Sequence, residues 1–246
     1  MSYEGFSQLY DRLIAEDINY GKLCDFIENI FTLRGINPTL VADLACGTGG
    51  VTIPLAQRGY EMIGIDRSAQ MLAIAQGKPG AEGILFLNQD ITQLDLYGTV
   101  GAAVCMTDGF NYLLSDRALC DVLTRLRTCF LDHGAVLIFD VSSEHKLKNT
   151  LGNNTYVYDS DEVFYAWENR YFEKKQLCDI TINFFKKEES GWRRITERQV
   201  QRARSAEHLK KILAAAGFVN IECYSSDSLA PETHDAPRLW FAAQNP

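Results

Sequence analysis

Val41-Ala-Asp-Leu-Ala-Cys-Gly-Thr-Gly-Gly50 decides how this sequence is read. An apolar run over residues 40–45 leads into Gly47, Gly49 and Gly50, and a helical stretch over 49–57 follows, stopped by Arg58-Gly59. Glycines at such a strand-to-helix turn let the backbone approach a ligand, and the helix N-terminus beyond favours negative charge. On spacing alone the stretch competes with the dinucleotide fingerprint G-x-G-x-x-G, but after Gly47 and Gly49 the third position is Thr52. Asp43 stands at the strand end, four residues before Gly47. Its carboxylate would repel a pyrophosphate and suit a cationic ligand or an ammonium.

The same grammar repeats on either side of this turn. Further apolar runs lie at 61–65, 84–88, 101–106 and 135–140, with helical stretches at 68–76 and 116–130. Ser68 is placed to cap its helix, and Leu119, Val122, Leu123 and Leu126 recur at helical spacing. Strands apolar throughout and separated by helices predict a mostly parallel, doubly wound α/β sheet covered on both faces. Residues 3–31 read as an amphipathic helical cap. From about 155 to 204 the period falls to two, with Cys178, Ile180, Ile182 and Phe184 alternating with Asp179, Thr181 and Asn183. Turn-like stretches at 173–176 and 188–191 divide this part into three antiparallel segments. A capped helix over 205–216 and strands over 218–224 and 237–243 close the core. The expected organisation is a core of residues 1–144 and 205–246, with a β insertion at 145–204.

Composition narrows the classes of function. The chain has 246 residues, 24 Lys+Arg against 32 Asp+Glu and a formal charge of −8. This acidic balance argues against a nucleic-acid partner, whose phosphates reward clustered Lys and Arg. No apolar run reaches the ~18–20 residues that cross a bilayer, and the start MSYEGFSQLYDRL lacks a signal-peptide layout. A cytoplasmic protein with no membrane partner is expected. The seven cysteines include no CxxC and sit among apolar neighbours, so they read as reduced thiols, and no metal site is expected.

With three strand ends in view, the chain resembles the class I S-adenosylmethionine (SAM)-dependent methyltransferases. Asp43-Leu-Ala-Cys-Gly-Thr-Gly49 is similar to their motif D/E-x-G-x-G-x-G, with Ala45 replacing the first glycine. Ile63-Gly-Ile-Asp66-Arg67-Ser ends the second strand, and Asn88-Gln-Asp90-Ile91 the third. The resemblance covers residues 40–140 and, more weakly, the final helix and strands. It implies a seven-stranded Rossmann-like sheet and SAM as cofactor, with S-adenosylhomocysteine as product. Asp43, Ala45, Cys46, Gly47 and Gly49 would form the cofactor loop. Asp66 and Arg67 would meet the ribose, and Asp90 and Ile91 the adenine. Tyr10 and Tyr20 are lid candidates, against a plain helical-core reading.

The fourth strand end supplies Thr107, Asp108, Asn111 and Tyr112, expected beside the methionine half of SAM and the acceptor, with Asp108, Asn111 and Tyr112 as the catalytic candidates there. His145, after the fifth strand, is the one histidine nominated as a base, against the reading of a solvated loop histidine. Small-molecule members similar to glycine N-methyltransferases place a lid-like sheet where the insertion falls. Trp167, Arg198 and Arg202 are its acceptor candidates, and five Arg against one Glu over residues 193–204 would suit an acidic small molecule. A solvated strand face is the competing reading. Non-catalytic SAM binding and, less favoured, an NAD(P)-dependent oxidoreductase remain as alternatives, because cofactor and acceptor sites are separable.

Overall fold

The computed structural model describes residues 18–161, 163–188 and 191–246. The first part of the expected N-terminal helix, with Tyr10, lies outside the described residues.

The core sheet has seven strands. Five are parallel: β1 (Leu40–Leu44), β2 (Glu61–Asp66), β3 (Leu85–Asn88), β4 (Val100–Cys105) and β5 (Leu131–Ser142). The chain runs from β1 outward to β2 and β3, then returns to lay β4 and β5 on the other side of β1. Two later strands, β10 (Val219–Tyr224) and β11 (Arg238–Gln244), complete the order β10-β11-β5-β4-β1-β2-β3, with β11 antiparallel to β5. The direction of travel reverses between β1 and β4. In open α/β sheets the crevice beyond the carboxyl ends of such a pair is where ligands sit.

Strand alternation divides the core into two layers. Ala102, Val104, Val136, Ile138 and Trp240 pack under α1 (Tyr20–Arg34), which buries Leu23, Phe26, Ile27 and Ile30. Ala103, Cys105, Leu137, Phe139 and Phe241 pack under α4 (Asp116–Arg125) and α5 (Ala206–Ala215). Asn19 caps α1 by accepting from the Lys22 amide at 3.1 Å, and Gly35 ends it at φ 62°. Ser68 caps α3 (Ala69–Gln76) as expected, accepting from the Met71 amide at 3.3 Å.

Some boundaries move, for physical reasons. The first core helix, α2 (Thr52–Gln57), begins later than position 49 because Gly49 is left-handed, at φ 77°. The helix expected over 116–130 keeps α geometry to Arg125 and continues as a π turn, Leu126–Phe130. Residues 155–202 form a separate antiparallel sheet of four strands, one more than the alternation predicted. They are β6 (Thr155–Asp159), β7 (Val163–Phe172), β8 (Leu177–Glu188) and β9 (Gly191–Arg202), in that order. Every residue of β6 is exposed, so it carries no apolar alternation to read. One end of the sheet is anchored where Leu147 and Leu151 pack against Cys178, Ile180 and Ala203.

Candidate active site

A cleft of about 440 Å³ opens at the carboxyl ends of β1–β4. This is within the range of small-molecule sites. Its floor is the glycine loop. Ala45, Gly47 and Gly49 all take positive φ, at 57°, 55° and 77°. Glycine adopts this geometry freely, whereas Ala45 adopts it against its Cβ. The Cys46 amide donates to the Ile65 carbonyl at 2.9 Å, and the Gly47 amide to Asp66 Oδ2 at 2.9 Å. Asp66 Oδ1 accepts from the Ser68 amide at 2.8 Å. Asp66 therefore ties the loop to the start of α3 while its carboxylate borders the cleft, and each oxygen keeps a second lone pair for a ligand.

Asp43 is 2% exposed and accepts from the Thr52 hydroxyl at 2.6 Å. This explains why Thr52 stands where a dinucleotide fingerprint has glycine. Burial, with Asp66 adding repulsion, pushes the Asp43 carboxyl up to about 7 against the Thr52 hydrogen bond. Burial also raises Asp66, against the amides of Ser68 and Gly47. Two such acids in one cleft fit a cationic ligand. Asp90 Oδ1 accepts from the Thr92 amide at 2.8 Å and its hydroxyl at 2.7 Å, which fixes the turn that presents Ile91.

Of the expected cofactor residues, Asp43, Ala45, Cys46, Gly47, Asp66, Arg67, Asp90, Ile91, Thr107 and Tyr20 line this cleft, as does Tyr112. Gly49 lies just behind it. A Cβ there would come within 3.1 Å of Ile53 and 3.3 Å of Ala75, so this glycine serves helix packing.

Six other nominations fall elsewhere. Asp108 does not line the cleft; its carboxylate is engaged by Arg238 at 2.8 and 3.3 Å and by the Ser142 hydroxyl at 3.0 Å. Burial opposes the Asp108 charge, but Arg238, Lys146 and Ser142 outweigh it and hold the acid below its ordinary range. Asn111 is buried and clamps backbone, donating to the carbonyls of Ser142 at 3.0 Å and Arg202 at 3.1 Å while accepting from the Ser142 amide at 3.0 Å. His145 lines a different cavity, with Glu144, Lys148 and His234, and contacts Asn149 at 3.1 Å.

Strand parity explains the remaining three. On β9, Glu197, Gln199 and Gln201 are 4%, 8% and 6% exposed and face inward, so Arg198 and Arg202 face outward. The Arg202 guanidinium is held by the Lys175 carbonyl and by Gln176 Oε1. Trp167 shares the inner face with Glu197, in register through Ile182, but its indole N–H donates to Asn169 at 2.6 Å and it does not line the cleft. The link from this sheet to the cleft is a residue the sequence reading did not single out: Gln199 does not line the cleft, but its Oε1 accepts from the hydroxyl of Tyr112, which does, at 2.7 Å. A signal for it existed. Ile195 marks the odd positions of β9 as the inner face.

Fold and cleft together define a Rossmann-like α/β protein with an acid-lined site for a cationic nucleoside. Residues 41–134 match the model of a methyltransferase domain. The crystal structure of a SAM-dependent methyltransferase from Clostridium acetobutylicum is 31% identical, covers 98% of both chains and superposes with a TM-score of 0.88. YqeM of Bacillus subtilis, a methyltransferase by name, is 29% identical over 99% of this chain and 97% of its own. A glycine/sarcosine N-methyltransferase from Halorhodospira halochloris is 28% identical over 66% of this chain and 59% of its own. The chain belongs to the SAM-dependent methyltransferases. Its reaction is SAM-dependent methyl transfer, and NAD(P) chemistry is set aside.

Proposed function

We propose that this methyltransferase acts on a small, polar, amine-bearing acceptor that meets the cofactor between Tyr112 and the inner face of β9. The observation that carries this is the Tyr112–Gln199 hydrogen bond at 2.7 Å, with Glu197 two residues along the same face. A buried carboxylate and two amides at alternate positions suit hydrogen-bonding and cationic groups. They carry no cation to neutralise an acid, so an acceptor with a basic nitrogen suits them better than a purely acidic one. The name of the Halorhodospira relative, which acts on glycine and sarcosine, supports an amine. Among the described residues no helix is long and apolar enough to cross a membrane.

SAM supplies a methyl group on a sulfonium, open to in-line attack. The residues of this chain bind, orient and exclude water. Asp43 offers its carboxylate to the cationic amino-acid end, Asp66 to the ribose, and Asp90 with Ile91 to the base. Tyr20 covers the loop, and Tyr112 with Gln199 aligns the acceptor. Methyl transfer of this kind is governed by alignment and water exclusion, so no nucleophilic side chain is required.

The test is S-adenosylhomocysteine release with glycine, sarcosine and glucosamine, set beside acetate, glucose and a short RNA. Turnover with an amine and not with its amine-free counterpart supports the proposal. Turnover confined to acetate, glucose or RNA overturns it.

A further inference from the structure

We propose that Arg238, on the last strand, is a positioning residue that holds Thr107 against the methionine half of the cofactor. Thr107 lines the cleft at the end of β4 and has φ 61°, and Asp108 follows at φ 72°. Two successive left-handed residues, neither of them glycine, do not persist unless the surroundings fix them. Here Asp108 is fixed from every side. Its amide donates to Asp140 Oδ1 at 2.9 Å, and its carboxylate accepts from Arg238 Nη1 at 2.8 Å, Nη2 at 3.3 Å and the Ser142 hydroxyl at 3.0 Å. Arg238 Nη1 also lies 2.8 Å from Asp140 Oδ2.

The guanidinium thus bridges two carboxylates, one on β5 and one on the turn itself. Register makes this possible, because Arg238 stands opposite Ser142 in the antiparallel β11–β5 pair, two residues beyond Asp140. Without its charge, the 1%-exposed Asp140 side chain and Asp108 would repel each other, with no cation left among the described residues that bridges both and with Lys146 still favouring the Asp108 charge. The turn would then relax, and Thr107 with it. Asp108 itself does not line the cleft, so Arg238 acts through it and not by touching a ligand. The nomination of Asp108 as a catalytic group becomes, on this reading, a link in the support of Thr107.

This inference rests on the placement of the methionine half beside Thr107, and the experiment separates the two. Calorimetry would compare SAM with adenosine, which lacks the methionine half, in the wild type and in Arg238→Gln, Arg238→Lys and Ser142→Ala. The expected result is a tenfold or greater loss of SAM affinity in Arg238→Gln with adenosine affinity changed less than threefold. Partial recovery in Arg238→Lys and a two- to fivefold selective loss in Ser142→Ala complete the pattern. Should Arg238→Gln fail to fold, the other two variants decide the matter. Parallel loss of SAM and adenosine, or unchanged SAM affinity, would overturn the positioning role. Wild-type protein that binds adenosine and SAM equally would instead overturn the placement of the methionine half.

Discussion

The Tyr112 hydroxyl donates to the Gln199 side-chain oxygen at 2.7 Å, joining a residue of the cofactor cleft to the inner face of the second sheet. Through this contact the sheet of residues 155–202 reaches the site without supplying any of the cofactor loop. Removing the hydroxyl in Tyr112→Phe is expected to raise the KM of the amine acceptor three- to tenfold and leave SAM affinity within twofold. Thermal denaturation should register a loss of about 0.5–1.5 kcal/mol, the net value of one hydrogen bond. Arg198→Ala, on the outer face, should change neither KM nor stability by more than about 0.5 kcal/mol. Equal effects of the two substitutions on KM would contradict the assignment of faces.

Gly50 and Tyr20 meet so closely that a Cβ on Gly50 would fall 2.4 Å from the Tyr20 ring. Gly50→Ala must therefore swing the ring off the loop. Because Tyr20 lines the cleft at the start of α1, its displacement is expected to weaken SAM binding about five- to tenfold, or about 1–1.4 kcal/mol. Titration of the double variant Gly50→Ala/Tyr20→Ala provides the check. It should bind no worse than Tyr20→Ala alone, since the two changes act through one contact.

Asn111 makes three hydrogen bonds to backbone, at 3.0, 3.1 and 3.0 Å, to Ser142 and Arg202. Asn111→Ala leaves the Ser142 amide and two carbonyls buried without those partners, at a cost of about 2–4 kcal/mol. At ~2–4 °C per kcal/mol for a chain of this size, the melting temperature should fall by roughly 5–15 °C. SAM affinity of the folded protein should stay within threefold. A stable variant with abolished turnover would instead make Asn111 a catalytic group.

The parallel core was legible because its signals are local. Apolar runs, a glycine turn and a carboxylate at each strand end lie within a few residues of one another. The same locality explains the misreadings. Asp108 and Asn111 stand next to Thr107 and Tyr112 in sequence, yet Asp108 is claimed by Arg238, 130 residues away, and Asn111 by Arg202, 91 residues away. Adjacency at a strand end does not say which side chain faces the cleft and which faces the core. The arginine run of β9 misled for a different reason, since charge count ignores parity. Ile195, Glu197, Gln199 and Gln201 point inward while Arg198 and Arg202 point out. Strand β6 went unread because its exposed residues carry no apolar period.

If Asp43 pairs with the cationic end of the cofactor, as proposed above, it should set the pH dependence of binding. Its carboxyl, pushed up to about 7 by burial and by Asp66, takes a proton in the folded, ligand-free protein that the unfolded chain takes only near ~3.9. Folded protein thus holds more protons on Asp43 between these values, so the Asp43 contribution to ligand-free stability should be fully present below about 4, shrink as pH rises toward about 7 and level off above it. SAM reverses the preference. Its cationic charge favours the ionised carboxylate, so binding expels the proton, and SAM affinity should fall by up to about tenfold per pH unit below 7. Calorimetry from pH 8 to 5.5 would measure this, with a binding heat that follows the ionisation enthalpy of the buffer. Adenosine, which carries no such charge, should vary far less. Asp43→Asn should flatten the SAM profile and cost on the order of 1.5–3 kcal/mol at pH 8, about ten- to a hundredfold in affinity. A wild-type SAM affinity that is constant across this range would show that the Asp43 charge does not take part in binding.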